Sequence, residues 1–152
     1  MLKSLFLVEN LKELAMNDNI IYMGVNAPRI HQAIIAKLIT GLTNLYLQDK
    51  TSLFAYPETM IDEGQTSPTP DIMLVNSETE LTEAIIEITH TQGVKKDTQK
   101  LKELMQTYDV KEGFVYDYKL NLWHRYILEN LDYAENSSYC QVVDCDLSKF
   151  LF

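Results

Sequence analysis

The sequence is poor in the residues that build several specialised classes of protein. Only two cysteines are present, Cys140 and Cys145, and a small disulfide-stabilised secreted protein usually has more. Four prolines and five glycines exclude a collagen-like or linker-dominated chain. A zinc site needs more ligands than two thiols, so we predict that both cysteines are free.

Long apolar runs are also lacking, which bears on the environment of the chain. No run in the sequence approaches the roughly 18 apolar residues that a membrane span requires. The N-terminal segment resembles a signal peptide superficially, but Glu9, Lys12 and Glu13 interrupt its apolar stretch. We therefore predict a cytoplasmic protein without a membrane partner, built as one domain over residues 1–152.

Positive charge is scarce as well, with 13 Lys and Arg against 22 Asp and Glu and a net charge of -9. This balance is unfavourable for a nucleic-acid-binding protein, because phosphate contacts draw mainly on Lys and Arg. It does not exclude one, since a metal site needs carboxylates and basic residues can be concentrated on one face.

Apolar periodicity indicates an α/β fold in which helices flank a mixed β-sheet. The short strands are nearly continuous in apolar residues, which is typical of strands that helices cover on both faces. An Asp-capped final turn is expected from Asp146. The predicted helices cover residues 2–14, 28–47 and 97–108, and the predicted strands cover residues 51–56, 72–75, 84–88, 114–118 and 122–128.

Two carboxylates occupy informative places in this pattern. Asp71 stands at the start of one apolar strand, and Glu87 lies inside the next. An ionised Glu is costly to bury unless a cation or hydrogen bonds compensate its charge. If the strands pair as a hairpin, both carboxylates reach a shared point and provide the oxygen ligands that Mg²⁺ prefers. Alternatively, Glu87 faces solvent at a sheet edge.

Several segments of the chain form an ordered pattern between Arg29 and Phe150. They are Arg29-Ile30-His31-Gln32, Pro70-Asp71-Ile72, Ile86-Glu87-Ile88-Thr89, Lys96-Asp97 and the stretch over residues 110–117. This pattern resembles the Uma-type restriction-endonuclease-like family, a branch of the PD-(D/E)XK nuclease superfamily. The resemblance implies a nuclease-like core, Asp71 and Glu87 as ligands of Mg²⁺ (or Mn²⁺), DNA as partner and hydrolysis of phosphodiester bonds.

The catalytic lysine implied by this resemblance is displaced. The superfamily's lysine position, two residues after the Glu, is Thr89, and the position used by the Uma-type branch, four residues after Asp97, is Leu101. Lys100 is predicted to act instead, because a long side chain one position away can recover part of the rotation around the helix.

The densest basic cluster surrounds this lysine. Lys95, Lys96 and Lys102, together with His90, are predicted to contact a nucleic-acid backbone, and solvated charge on a helix is the alternative. The leading functional hypothesis is a metal-dependent DNA endonuclease. The competing hypothesis is a catalytically inactive nuclease-fold interaction or regulatory module, favoured by Leu101 and the net charge of -9. A homodimer and a monomer both stay open.

Overall fold

The computed structural model describes residues 28–64 and 68–152. The chain divides into two compact units, Met1–Ala33 and Ile34–Phe152. The helix predicted over residues 2–14 lies outside the described residues. Within the described part of the chain, no helix is long and apolar enough to cross a membrane.

Two α-helices and eight strands are present in the described ranges. Helix α1 spans Arg29–Leu47 and helix α2 spans Val94–Tyr108. The strands are β1 Leu53–Pro57, β2 Ile72–Asn76, β3 Thr82–Thr89, β4 Glu112–Asp117, β5 Leu122–Ile127, β6 Asn130–Glu135, β7 Tyr139–Cys140 and β8 Cys145–Asp146.

Six of these strands form one mixed sheet in the order β1-β2-β3-β4-β5-β6. Every neighbouring pair is antiparallel except β3 and β4, which are parallel and joined through α2. A parallel pair needs such a crossover, because its strands begin at the same end of the sheet. Strands β7 and β8 form a separate two-stranded hairpin. The predicted mixed sheet flanked by helices is confirmed.

Side chains of the central strands alternate between two apolar clusters. Ile86 and Ile88 of β3 join the cluster that includes the buried stripe of α1, formed by Ile34, Ile35, Leu38 and Leu42. Ile85 of β3 belongs to the other cluster, with Leu101, Leu104 and Met105 of α2. The sheet therefore has a core on each face, as the continuous apolar runs predict.

Two features differ from the sequence prediction. Helix α2 begins at Val94, about one turn before the predicted start at Asp97, and follows a 3₁₀ turn over Thr91–Gly93. Strands β6, β7 and β8 were not predicted, because the side chains of β6 are mostly exposed and show no apolar alternation. The predicted Asp146 cap is confirmed: its side chain accepts a hydrogen bond from the Ser148 backbone at 3.0 Å.

Candidate metal centre

The pairing of β2 with β3 brings the two predicted carboxylates to one end of the sheet. The antiparallel register aligns Ile72 with Ile86, so Asp71, just before β2, lies level with Glu87. The Asp71 carboxylate accepts a hydrogen bond from the backbone N–H of Ile88 at 2.7 Å. The hairpin expected from the sequence is therefore present, and it places Asp71 beside the strand that contains Glu87.

Glu87 is fully buried, with 0% of its surface exposed. It lies in an interior strand of the sheet, so the alternative of a solvent-facing Glu87 at a sheet edge is wrong. Burial raises the pKa of Glu87 well above its usual value of 4.5, and the nearby charge of Asp71 raises it further. A charged carboxylate in this environment is costly unless a cation or hydrogen bonds compensate it.

Lys100 of α2 provides one such positive charge. Its Nζ donates a hydrogen bond to Glu87 Oε2 at 3.2 Å and lies 3.1 Å from Oε1. The second contact is an ion pair without hydrogen-bond geometry, so Oε1 has no hydrogen-bond partner among the described residues. Helix periodicity explains why Lys100 makes this contact and residue 101 does not. Leu101 is fully buried in the core between α2 and the sheet.

Asp97 is a further carboxyl group near Glu87 and is buried, and no site role was predicted for it. It lies in the first turn of α2 and is 9% exposed. Burial raises the pKa of Asp97, while the hydrogen bond with Thr89 and the charge of Lys100 oppose that rise. The sequence placed Asp97 at the start of a helix, but its burial depends on how α2 packs on the sheet.

The remaining predicted residues do not gather around Glu87. His90 is half-buried directly after β3, and Lys95 and Lys96 are exposed in the first turn of α2. Lys102 points elsewhere: its Nζ lies 5.0 Å from the centre of the Tyr126 ring on β5, a cation–π contact between helix and sheet. Of the predicted lysines, Lys100 is the one that reaches the buried carboxylate.

The donor set of this centre fits a divalent metal ion. Asp71 and Glu87 offer the hard oxygen ligands that Mg²⁺ and Mn²⁺ prefer. The buried Oε1 of Glu87 accepts no hydrogen bond from the described residues, and a bound cation would give it a partner besides the Lys100 ammonium group.

Comparison with solved structures finds two similar folds. A candidate nuclease belonging to DUF820, from Anabaena variabilis, aligns over 82% of this chain and 81% of its own, with a TM-score of 0.58 and 11% identity. The type IIG restriction endonuclease BpuSI aligns over 64% of this chain and 11% of its own, with a TM-score of 0.45 and 14% identity. Comparisons with protein-family models and with curated proteins find no match. The chain thus shares the fold of the DUF820 structure.

Proposed function

We propose that this chain is a metal-dependent endonuclease that hydrolyses phosphodiester bonds in DNA, as a divergent relative of the Uma-type family. The observation that carries the proposal is the buried Glu87, which lies between Asp71 and Lys100 and has one carboxylate oxygen without a hydrogen-bond partner among the described residues. The fold shared with the DUF820 protein supports the same class of reaction.

The roles of the residues follow from their chemistry. Asp71 and Glu87 would hold Mg²⁺ or Mn²⁺, which when bound supplies Lewis-acid stabilisation and lowers the pKa of a water molecule. Lys100 would stabilise the negative charge that develops on the scissile phosphate. Its hydrogen bond to Glu87 keeps the ammonium group at the centre before substrate arrives.

Thermal unfolding with and without metal tests the centre independently of catalysis. We expect MnCl₂ and MgCl₂ to raise the melting temperature of the wild-type protein, because a ligand that binds only the folded state stabilises it. Asp71→Asn and Glu87→Gln should lose this shift. Glu83→Gln is the matched control, since Glu83 lies on the same strand near its other end and contacts Lys111.

Cleavage of plasmid and short-duplex DNA with Mg²⁺ or Mn²⁺ then tests the reaction. Asp71→Ala and Glu87→Ala should abolish cleavage. Unchanged cleavage in both variants would exclude this centre as the active site.

Replacing the lysine separates charge stabilisation from metal binding. We predict that Lys100→Ala lowers the cleavage rate by on the order of a hundredfold, because it removes a positive charge from the transition state. The metal-induced shift in melting temperature should persist, since Asp71 and Glu87 stay. Lys102→Ala is the control and should change the rate little, because Lys102 contacts Tyr126. Equal losses in the two variants would contradict the assigned role.

The inactive interaction module is retained as a second candidate because of one contact. Lys100 Nζ lies within 3.1–3.2 Å of both Glu87 oxygens, so an internal ion pair can neutralise Glu87 without a metal. Calorimetric titration with Mn²⁺ discriminates between the two candidates. Binding at millimolar or tighter affinity that Glu87→Ala abolishes would contradict the inactive module, and no binding would contradict the nuclease.

A further inference from the structure

The turn between β4 and β5 presents an exposed apolar side chain at the end of the sheet that holds the candidate metal centre. Leu120 is 63% exposed and lies in this turn, which we call the hairpin tip and define as residues 118–121. Strands β3 and β4 are parallel and end together, with Thr89 paired to Asp117. The hairpin tip therefore begins beside the end of β3, two residues beyond Glu87.

A buried carboxylate fixes the shape of the hairpin tip. Asp117 is 1% exposed, and its Oδ1 accepts hydrogen bonds from the backbone N–H groups of Lys119 at 3.0 Å and Leu120 at 3.3 Å. The same oxygen accepts a bond from Thr91 Oγ1 at 3.1 Å, which ties the tip to the 3₁₀ turn before α2. These hydrogen bonds hold the backbone around Leu120 in one conformation. Little backbone entropy is therefore lost when Leu120 contacts a partner.

Two further hydrogen bonds hold the hairpin tip, and one of them links it to β3. Tyr116 Oη donates to Asn121 Oδ1 at 2.8 Å, and the Tyr118 backbone N–H donates to the Thr89 carbonyl at 2.9 Å. The position of the tip relative to the Glu87 strand is therefore fixed by the backbone itself.

The exposed positions beside the hairpin tip in the sequence carry no acidic residue, and Asp117, directly before the tip, is buried. Residues 88–96 and residues 118–128 contain no Asp or Glu, although the chain has 22 of them. The same segments contain exposed lysines at positions 95, 96 and 119. Exposed lysines therefore lie near an exposed apolar side chain at this end of the sheet, while the neighbouring Asp97 and Asp117 are buried.

The opposite end of the sheet provides a natural comparison. Leu81, in the turn between β2 and β3, is 64% exposed, which matches Leu120. Its turn carries exposed Glu78 and Glu80 in place of lysine. A similarly exposed leucine thus occurs where a polyanion would be repelled, and this makes Leu81 a matched control.

We propose that the hairpin tip is a DNA wedge, in which Leu120 inserts between base pairs of a duplex while Lys119 contacts the adjacent phosphate. This inference rests on the proposed function and adds to it a means of distorting the substrate beside the candidate metal centre. Apolar side chains inserted at base steps partly unstack them and kink the duplex. Pyrimidine–purine steps such as TA unstack most easily, so the wedge favours cleavage near them.

The test uses a short duplex of repeated TA steps in which 2-aminopurine replaces the adenines of one strand. Its fluorescence rises when the base unstacks, and an end label reports binding by anisotropy. The full chain is titrated in Ca²⁺ without Mg²⁺. Wild type and Leu81→Ala should bind and raise the 2-aminopurine fluorescence severalfold. Leu120→Ala should still bind but lose the rise.

Three outcomes overturn the inference, and the two readouts identify the cause. A rise in Leu120→Ala equal to that of wild type, or wild-type binding without any rise, overturns the wedge and leaves the proposed function standing. If the wild-type protein causes no anisotropy change, it does not bind DNA, and both the proposed function and the wedge are contradicted. Because Leu120 is exposed, its replacement should leave the unfolding curve unchanged, and this is checked first.

Discussion

Gly93 sets how closely the turn before α2 approaches the end of β3. A Cβ atom at this position would lie 2.2 Å from Thr89 Oγ1 and 3.6 Å from Asp97 Oδ2. The first distance is far inside van der Waals contact, so any larger residue forces the turn or Thr89 to move. The absence of a side chain at Gly93 therefore permits the close packing of Thr89 and Asp97 beside Glu87.

A double-mutant cycle tests this packing. We predict that Gly93→Ala lowers the free energy of unfolding by about 1–3 kcal/mol, the usual cost of overpacking. In the Thr89→Ala background the same change should cost much less, because the clashing oxygen is gone. Urea unfolding of the four proteins measures the coupling. Additive effects of the two substitutions would show that the Cβ clash is relieved elsewhere.

At the scale of single residues, local spacing predicts that Asp71 lies level with Glu87 and that Lys100 is close to them, and the structure has both arrangements. The position of Asp71 at the end of the sheet is predicted by its place directly before a strand. The position of Lys100 near Glu87 is predicted by helix periodicity once Leu101 is assigned to the core. Whether a carboxylate is buried depends on packing between elements, which the local pattern does not contain. The full burial of Glu87 and the burial of Asp97 could not be deduced for this reason.

At the scale of elements, a buried carboxylate anchors the hairpin of β7 and β8. Glu112, at the start of β4, is 2% exposed and accepts hydrogen bonds from the backbone N–H groups of Gln141 at 3.0 Å and Val142 at 3.2 Å. It also accepts from Arg125 Nε at 2.5 Å, and Arg125 donates to Glu135 on β6 at 2.7 Å. These polar contacts add to the burial of Cys140 and Cys145 in positioning β7 and β8. Two-residue strands and an exposed β6 show no apolar alternation, which is why the sequence did not predict them.

Removing this anchor should be costly. We predict that Glu112→Ala lowers the free energy of unfolding by about 3–5 kcal/mol. It removes one of the two carboxylate partners of Arg125 and leaves the backbone N–H groups of Gln141 and Val142 without their acceptor. Glu112→Gln should cost less, since its amide oxygen can still accept hydrogen bonds. Chemical denaturation measures both, with exposed Glu129→Ala as the control. A loss in Glu112→Ala no greater than that of the control would contradict the anchoring role.

At the scale of the whole molecule, the class of fold is predictable and the order of its strands is not. Apolar runs and helical spacing identify α1, α2 and the first five strands of the sheet within a few residues. The parallel pairing of β3 with β4 depends on how α2 packs on the sheet and where β4 then begins. Such packing between distant segments cannot be deduced from the local sequence. That pairing is what places the hairpin tip next to the end of the Glu87 strand.

The net charge of -9 coexists with exposed Lys95, Lys96 and Lys119 near the end of the sheet that holds Glu87, and the two predict different salt responses. If DNA binds at the end that holds the hairpin tip, each lysine that contacts a phosphate adds about 0.9 to the magnitude of the slope of log K against log salt. Lys95→Ala and Lys119→Ala should therefore each reduce the slope by about that amount. Anisotropy titrations over a range of NaCl concentrations measure it.

Lys111→Ala is the control for this prediction, because Lys111 is 70% exposed but lies at the opposite end of the sheet, where it contacts Glu83. It removes the same unit of charge from the whole molecule and should leave the slope unchanged. If all three variants reduce the slope equally, binding responds to net charge alone, and Lys95 and Lys119 have no special role. A change confined to Lys95→Ala and Lys119→Ala would assign the phosphate contacts to the end of the sheet that holds Glu87, despite the acidic character of the chain as a whole.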